Sequence, residues 1–124
     1  MARPDLSANY KEILVVVDGA EPARGRVELA AALAERFEAH LAGLYPSILG
    51  DEPSQSFYDV SLFDPVYRDF TQRVREETAS AQALFEEIAA RCGLSREWRE
   101  ANGYPSQVAA LHGRYIDLIV VGQL

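Results

Sequence analysis

Ile13-Leu14-Val15-Val16-Val17-Asp18-Gly19 is an unbroken apolar run, almost wholly β-branched, that stops at an Asp-Gly pair. A half-exposed strand alternates apolar and polar side chains, whereas a run of this kind is what a strand buried on both faces shows. Strand 1 is therefore predicted over 13–17, in the interior of a parallel sheet. Asp117-Leu118-Ile119-Val120-Val121-Gly122 repeats the pattern near the other end of the chain and predicts strand 4 over 118–121.

Helical signals fill the space between these runs. Pro22 after Glu21 suits a first helical position, where its missing N–H costs nothing. Val27, Ala30, Ala31, Ala34 and Phe37 then recur at the period of an amphipathic helix. His40 to Tyr45 reads as strand 2, stopped by Pro46. Positions 47–61 are rich in Gly, Pro, Ser and acids and read as a long surface loop carrying Phe57 and Tyr58. Asp64-Pro65 opens a long helix 2, with Val66, Phe70, Val74, Ala81, Leu84, Phe85 and Ile88 as its apolar stripe and Cys92-Gly93 as its end. Ser95 to Ala101 sets Arg96, Glu97, Arg99 and Glu100 around Trp98, a charge density that suits an edge strand and discourages unwanted pairing. Asn102-Gly103-Tyr104-Pro105 turns into a short helix expected to direct Val108 and Leu111 inward. The order β-α-β-α-β-α-β predicts an α/β fold, an open parallel sheet in three layers of the flavodoxin-like or Rossmann-like kind.

Bulk composition narrows the function classes. A chain of 124 residues is one domain or part of one, and 48% hydrophobic with 25% charged residues provides for a packed core. A net charge of −7 disfavours binding to a phosphate backbone, so no nucleic-acid partner is expected. The single cysteine, Cys92, excludes an internal disulfide and reads as a buried thiol at a helix end. Positions 1–10 read as a flexible N-terminus. The chain has no signal-like apolar segment and no run long enough to span a bilayer, so a cytoplasmic protein without a membrane partner is expected.

Three motifs in order carry a resemblance: 13–21 around Val17-Asp18-Gly19-Ala20, then Gly103-Tyr104-Pro105, then Asp117 to Gly122. Together they resemble the universal stress protein family, whose first strand typically ends in a V-D-G-S-type turn. The resemblance implies an adenine nucleotide alpha hydrolase-like sheet of order 3-2-1-4-5, with strand 3 at an edge. The sequence at hand ends at Leu124, so the expected order within it is 3-2-1-4, with the fifth strand and last helix missing and an apolar strand 4 edge open. The expectation is a truncated universal stress domain over 1–124, either the first half of a tandem protein or a homodimer self-associating through that edge.

The resemblance also implies a ligand. In an open parallel sheet the ligand crevice lies at the carboxyl ends of the strands where the strand order reverses, here between strands 1 and 4. Val17, Asp18, Gly19 and Ala20, with Leu44 and Tyr45 after strand 2 and Gly122 after strand 4, are the candidate nucleotide-binding residues. ATP or another adenine nucleotide is the implied cofactor, with adenine against Leu44, Asp18 on the adenosine portion and Gly122 as first glycine of the phosphate motif G-x2-G-x9-G-[ST]. The later positions of that motif lie beyond Leu124. Val16 and Ala20 also depart from the family's usual proline and hydroxyl residues, which argues against tight binding. Asp18 has an alternative role, ending strand 1 and capping helix 1.

Other chemistry finds little support in the sequence. His40 and His112 lie far apart with no cysteine or acid at ligand spacing, so no metal is expected. No G-x-S-x-G serine, P-loop lysine or dinucleotide fingerprint is present, and the expected role is a non-catalytic stress-response module. Phe57, Tyr58, Phe63, Tyr67 and Phe70 form an aromatic segment within 47–70 that either packs in the core or binds a protein partner. A ligand-free dimerisation or protein-interaction domain is the alternative reading.

Overall fold

The structure, a computed structural model, describes residues 10–18, 23–47 and 65–122. Within them four parallel strands, β1 (Glu12–Val16), β2 (His40–Ser47), β3 (Arg96–Asn102) and β4 (Leu118–Val120), form one open sheet of order β3-β2-β1-β4. Three helices make the crossovers: α1 (Ala23–Phe37), α2 (Pro65–Arg91) and α3 (Pro105–His112), which runs into a 3-10 turn at Gly113–Tyr115.

Strand β1 has neighbours on both sides and covers on both faces. Ile13, Val15 and Val17 pack with Ala23, Val27, Ala30, Ala31, Ala34 and Phe37 of α1 and with Ala81, Phe85, Ile88 and Ala89 of α2. Leu14 and Val16 turn the other way, joining Ala42 and Leu44 of β2 beneath Val108 and Ala109 of α3. This double burial is the reason the 13–17 run carries no polar alternation. Gly43 of β2 admits the α2 layer. A Cβ there would stand 2.8 Å from Phe85 Cδ2 and 2.9 Å from Trp98 Cε3, so only a glycine lets both rings lie over the strand.

Strand β2 does not stop at Pro46 as its sequence predicts; it continues to Ser47, with Pro46 opposite Ala101. The ladder explains this. Val17 N–H donates to Leu44 O at 2.8 Å, so Leu44 faces β1, Tyr45 faces β3, and Pro46 faces the β1 side again, beyond the last residue that β1 pairs. Its missing N–H costs no ladder bond there.

Both long helices end on a left-handed residue. Gly93 (φ 65) follows α2, with Leu94 N–H donating to Ala89 O at 3.1 Å, and Glu38 (φ 54) follows α1, with Ala39 N–H donating to Ala34 O at 2.8 Å. These bonds occupy carbonyls that a helix end leaves unpaired. The 27-residue α2 is about 40 Å long, against about 26 Å for the eight residues of β2. Its buried positions begin at Val74, while Val66 and Phe70, expected in the inward stripe, are exposed on the overhanging start. Leu111 likewise departs from expectation: it is 63% exposed, since only Val108 and Ala109 of the short α3 meet the sheet.

The expectation for β3 holds, as among the described residues it pairs only with β2. β4 forms the opposite edge and is one residue shorter than predicted, with Val121 outside it and exposed. Asp117 ties its entry to β1: the carboxylate accepts the Lys11 and Glu12 N–H groups at 2.8 and 3.0 Å, while Asp117 N–H donates to Glu12 O at 3.0 Å.

Candidate functional site

At the carboxyl end of the sheet, β1 and β4 part company after Val15 and Val120. The Val16 carbonyl faces the β4 side past the last ladder pair, and a side chain from α1 takes it. Arg26 Nη1 donates to Val16 O at 2.7 Å and lies 3.5 Å from Asp18 Oδ1. The Arg26 side chain is 9% exposed, whereas that of Asp18 is 44% exposed. The guanidinium also lies over Gly122, where any Cβ would run into it. Asp18 and Gly122 are thus brought to one point by a residue the sequence reading passed over. Arg26 occupies the intermediate flank of an amphipathic helix, and nothing in the helical period separates it from the solvent-facing Arg24.

The remaining candidates are placed as follows. Val17 and Leu44 are fully buried and bonded to each other through the ladder, Val17 under α1 and α2 and Leu44 under α3. Tyr45 is buried and packs on Trp98, with ring centroids 6.3 Å apart. Gly19 and Ala20 lie outside the described residues, as do Phe57, Tyr58 and Phe63. Tyr67 is half-buried.

The amino end of the sheet carries a second constellation. His40 opens β2 and Ser95 immediately precedes β3. Their side chains meet with His40 Nδ1 2.8 Å from Ser95 Oγ, while His40 Nε2 lies 2.9 Å from Glu97 Oε1. Arg99 Nε and Nη2 donate to the same carboxylate at 3.1 and 3.0 Å. The hydrogen bonds from Arg99 and then from His40 pull the Glu97 carboxyl down from 4.5 to about 2, against the opposing effect of burial. Two hollows of about 590 and 570 Å³ adjoin His40 and Ser95, and the second also takes in His112 and Tyr115. Histidines far apart in sequence thus line one hollow, and a serine stands within reach of one of them. No short motif marks this set, because strand pairing assembles it.

Cys92 is half-buried, and desolvation, reinforced by a hydrogen bond with Glu35, pushes its thiol pKa up, which keeps it protonated and weakly reactive. Among the described residues no group of three or more His, Cys, Asp or Glu is placed to hold a metal ion. No helix among them is long and apolar enough to cross a membrane.

The chain matches the model of the universal stress protein family over residues 9–123. No curated protein sequence matches it. Among solved structures it is similar to the universal stress protein UspA from Lactobacillus plantarum (TM-score 0.68, 24% identity, covering 94% of this chain and 79% of that one). It is also similar to a universal stress protein from Archaeoglobus fulgidus (TM-score 0.62, 16% identity, 91% and 76%). A third similar structure is a universal stress protein in complex with cAMP (TM-score 0.54, 18% identity, 90% and 71%). At these identities the structures speak for the fold, while the family match spans nearly the whole sequence. The chain belongs to the universal stress protein family.

Proposed function

We propose that this chain is a stress-response regulatory module whose crevice between β1 and β4 takes ATP or another adenine nucleotide and catalyses no reaction there. The observation that carries this reading is Arg26. In a chain of net charge −7 it sets a guanidinium, almost wholly buried, at the strand-order reversal where α/β sheets take ligands. Phosphate oxygens match that cation. The half-exposed Asp18 carboxylate suits the hydroxyls of a ribose. The cAMP complex of a relative supports an adenine nucleotide as the ligand class.

Thermal unfolding of the chain with and without millimolar ATP tests this. A ligand at ten times its Kd stabilises the native state by about 1.4 kcal/mol, a rise in midpoint of about 5 °C for a domain of this size. An unchanged midpoint sinks the nucleotide reading.

A second reading, an assembly domain acting without ligand, has its own observation. Ile119, Val121, Leu111 and Tyr115 are exposed around β4, whose outer edge pairs with no strand among the described residues. A second copy pairing there would cover them. Sedimentation at rising concentration is expected to show a dimer that Ile119→Lys abolishes. A monomer at every concentration rules this reading out.

A further inference from the structure

We propose that Ser95, His40 and Glu97, at the amino end of the sheet and apart from the nucleotide crevice, form a nucleophilic relay that takes the acyl group of a small neutral carboxylic ester. An ionised Glu97 only accepts, so His40 Nε2 carries the proton directed at Oε1. In the neutral imidazole Nδ1 then presents its lone pair to the Ser95 hydroxyl. A nucleophile, a base and an acid that orients the base therefore stand at 2.8 and 2.9 Å, the arrangement by which an ordinary hydroxyl is activated.

The backbone holds both partners in place. Leu41 N–H donates to Ser95 O at 2.9 Å, and His40 N–H donates to Lys11 O at 2.8 Å, so backbone hydrogen bonds tie both residues to the neighbouring chain. Ser95 is itself exposed, and the adjoining hollow of about 570 Å³ leaves room for a small substrate. Its lining selects against negative charge. Glu12 and Glu97 repel a carboxylate-bearing substrate, and the charge of Arg99 is already matched by Glu97. Ile116 and Tyr115 offer apolar contact to an acyl chain.

The reaction balances within these groups. Ser95 Oγ attacks the ester carbonyl carbon as its proton passes to His40 Nδ1, giving a tetrahedral adduct and an imidazolium whose Nε2–H stays on Glu97. The adduct collapses with loss of the alcohol oxygen, which takes the proton from Nδ1, and acyl-Ser95 remains. Water then adds to the acyl carbon with His40 again accepting a proton, and the carboxylic acid leaves as Ser95 recovers its own.

The test treats the full chain with p-nitrophenyl acetate and, separately, with a fluorophosphonate. The expected results are a phosphonyl adduct that maps to Ser95 alone and ester turnover that falls about a hundredfold in Ser95→Ala. His40→Gln is expected to lose both, and Glu97→Gln to retain a reduced rate. Turnover that persists in Ser95→Ala, as an imidazole acting alone would give, overturns the proposal, and so does an unlabelled Ser95 in the parent chain. If His40→Gln unfolds the sheet edge, Ser95→Ala still decides, because that residue is exposed and lies outside the strands. A merely structural cross-strand network would leave no labelled serine.

Discussion

Replacing Arg26 with methionine removes the guanidinium from the β1–β4 crevice and keeps most of its aliphatic stem in place. Two interactions are lost. The bond from Nη1 to Val16 O, 2.7 Å long and made by a side chain 9% exposed, is of the charge-assisted kind that contributes about 1.5–3 kcal/mol. The pair with Asp18 at 3.5 Å, whose carboxylate is half in water, adds less than about 1 kcal/mol. The hydrogen bond therefore dominates, and Arg26→Met is expected to cost about 2 kcal/mol, a fall in midpoint of about 8 °C. Asp18→Asn should cost well under half of that. Urea unfolding followed by the fluorescence of Trp98, the only tryptophan, measures both. If the cation also meets phosphate, Arg26→Met weakens ATP binding about tenfold and leaves adenosine unaffected. A variant within about 0.5 kcal/mol of the parent would mean that water satisfies the Val16 carbonyl equally well, and the reasoning that places Arg26 at the centre of the crevice would fall.

Three further perturbations have signs fixed by the structure. Gly43→Ala must move Phe85 or Trp98 out of contact distances of 2.8–2.9 Å; the overpacking cost of about 1–3 kcal/mol should exceed the gain from a stiffer unfolded chain, and Phe85→Leu should recover part of it in a double-mutant cycle. The Glu97 carboxyl, lowered from 4.5 to about 2 in the folded chain, stabilises the fold fully above pH 4.5 and loses that contribution as the pH falls toward 2; with the carboxylate 42% exposed, screening limits it to about 1 kcal/mol, and Glu97→Gln should flatten the acid limb of a stability profile. Glu38→Gly relieves a left-handed residue at the end of α1 and should raise the midpoint by about 3 °C in a thermal scan, with no rise counting against the strain.

The sheet was legible in the sequence because β1 and the long helices answer to local rules. Unbroken β-branched runs mark doubly buried strands, and a glycine just past a 3.6-period stripe marks a helix end, as Gly93 does. What was not legible depends on pairing. Pro46 reads as a strand stop until the ladder shows which neighbour its missing N–H faces. Glu38 carries no composition signal for the left-handed turn it occupies. Arg26 is one of several arginines on solvent-rich helices, and only the early end of the β1–β4 ladder gives it a carbonyl to reach. His40 and Ser95 become neighbours only because β2 pairs with β3 in register, which a reading of spacing along the chain cannot see. The charged residues of β3 were read as protection of an edge. Glu97 and Arg99 remain that, and they also orient the histidine beside them.

The two constellations sit at opposite ends of the same strands. The five residues of β1 alone span about 17 Å between the entry next to His40 and the Val16 carbonyl taken by Arg26. Sites that far apart with no shared partner contribute additively, so Arg26→Met combined with Ser95→Ala should reproduce the sum of the single effects on stability within about 0.5 kcal/mol. Coupling beyond that would require the sheet to shift as a body, and the residues between the two sites resist such a shift. Leu14, Val15, Ala42 and Leu44 are fully buried in two close-packed layers, where displacing one strand would open voids against α1, α2 and α3 together. Ester turnover that changed when ATP was added would therefore locate a motion in the strand ladder itself, and hydrogen exchange at the β1 and β2 amides would reveal it.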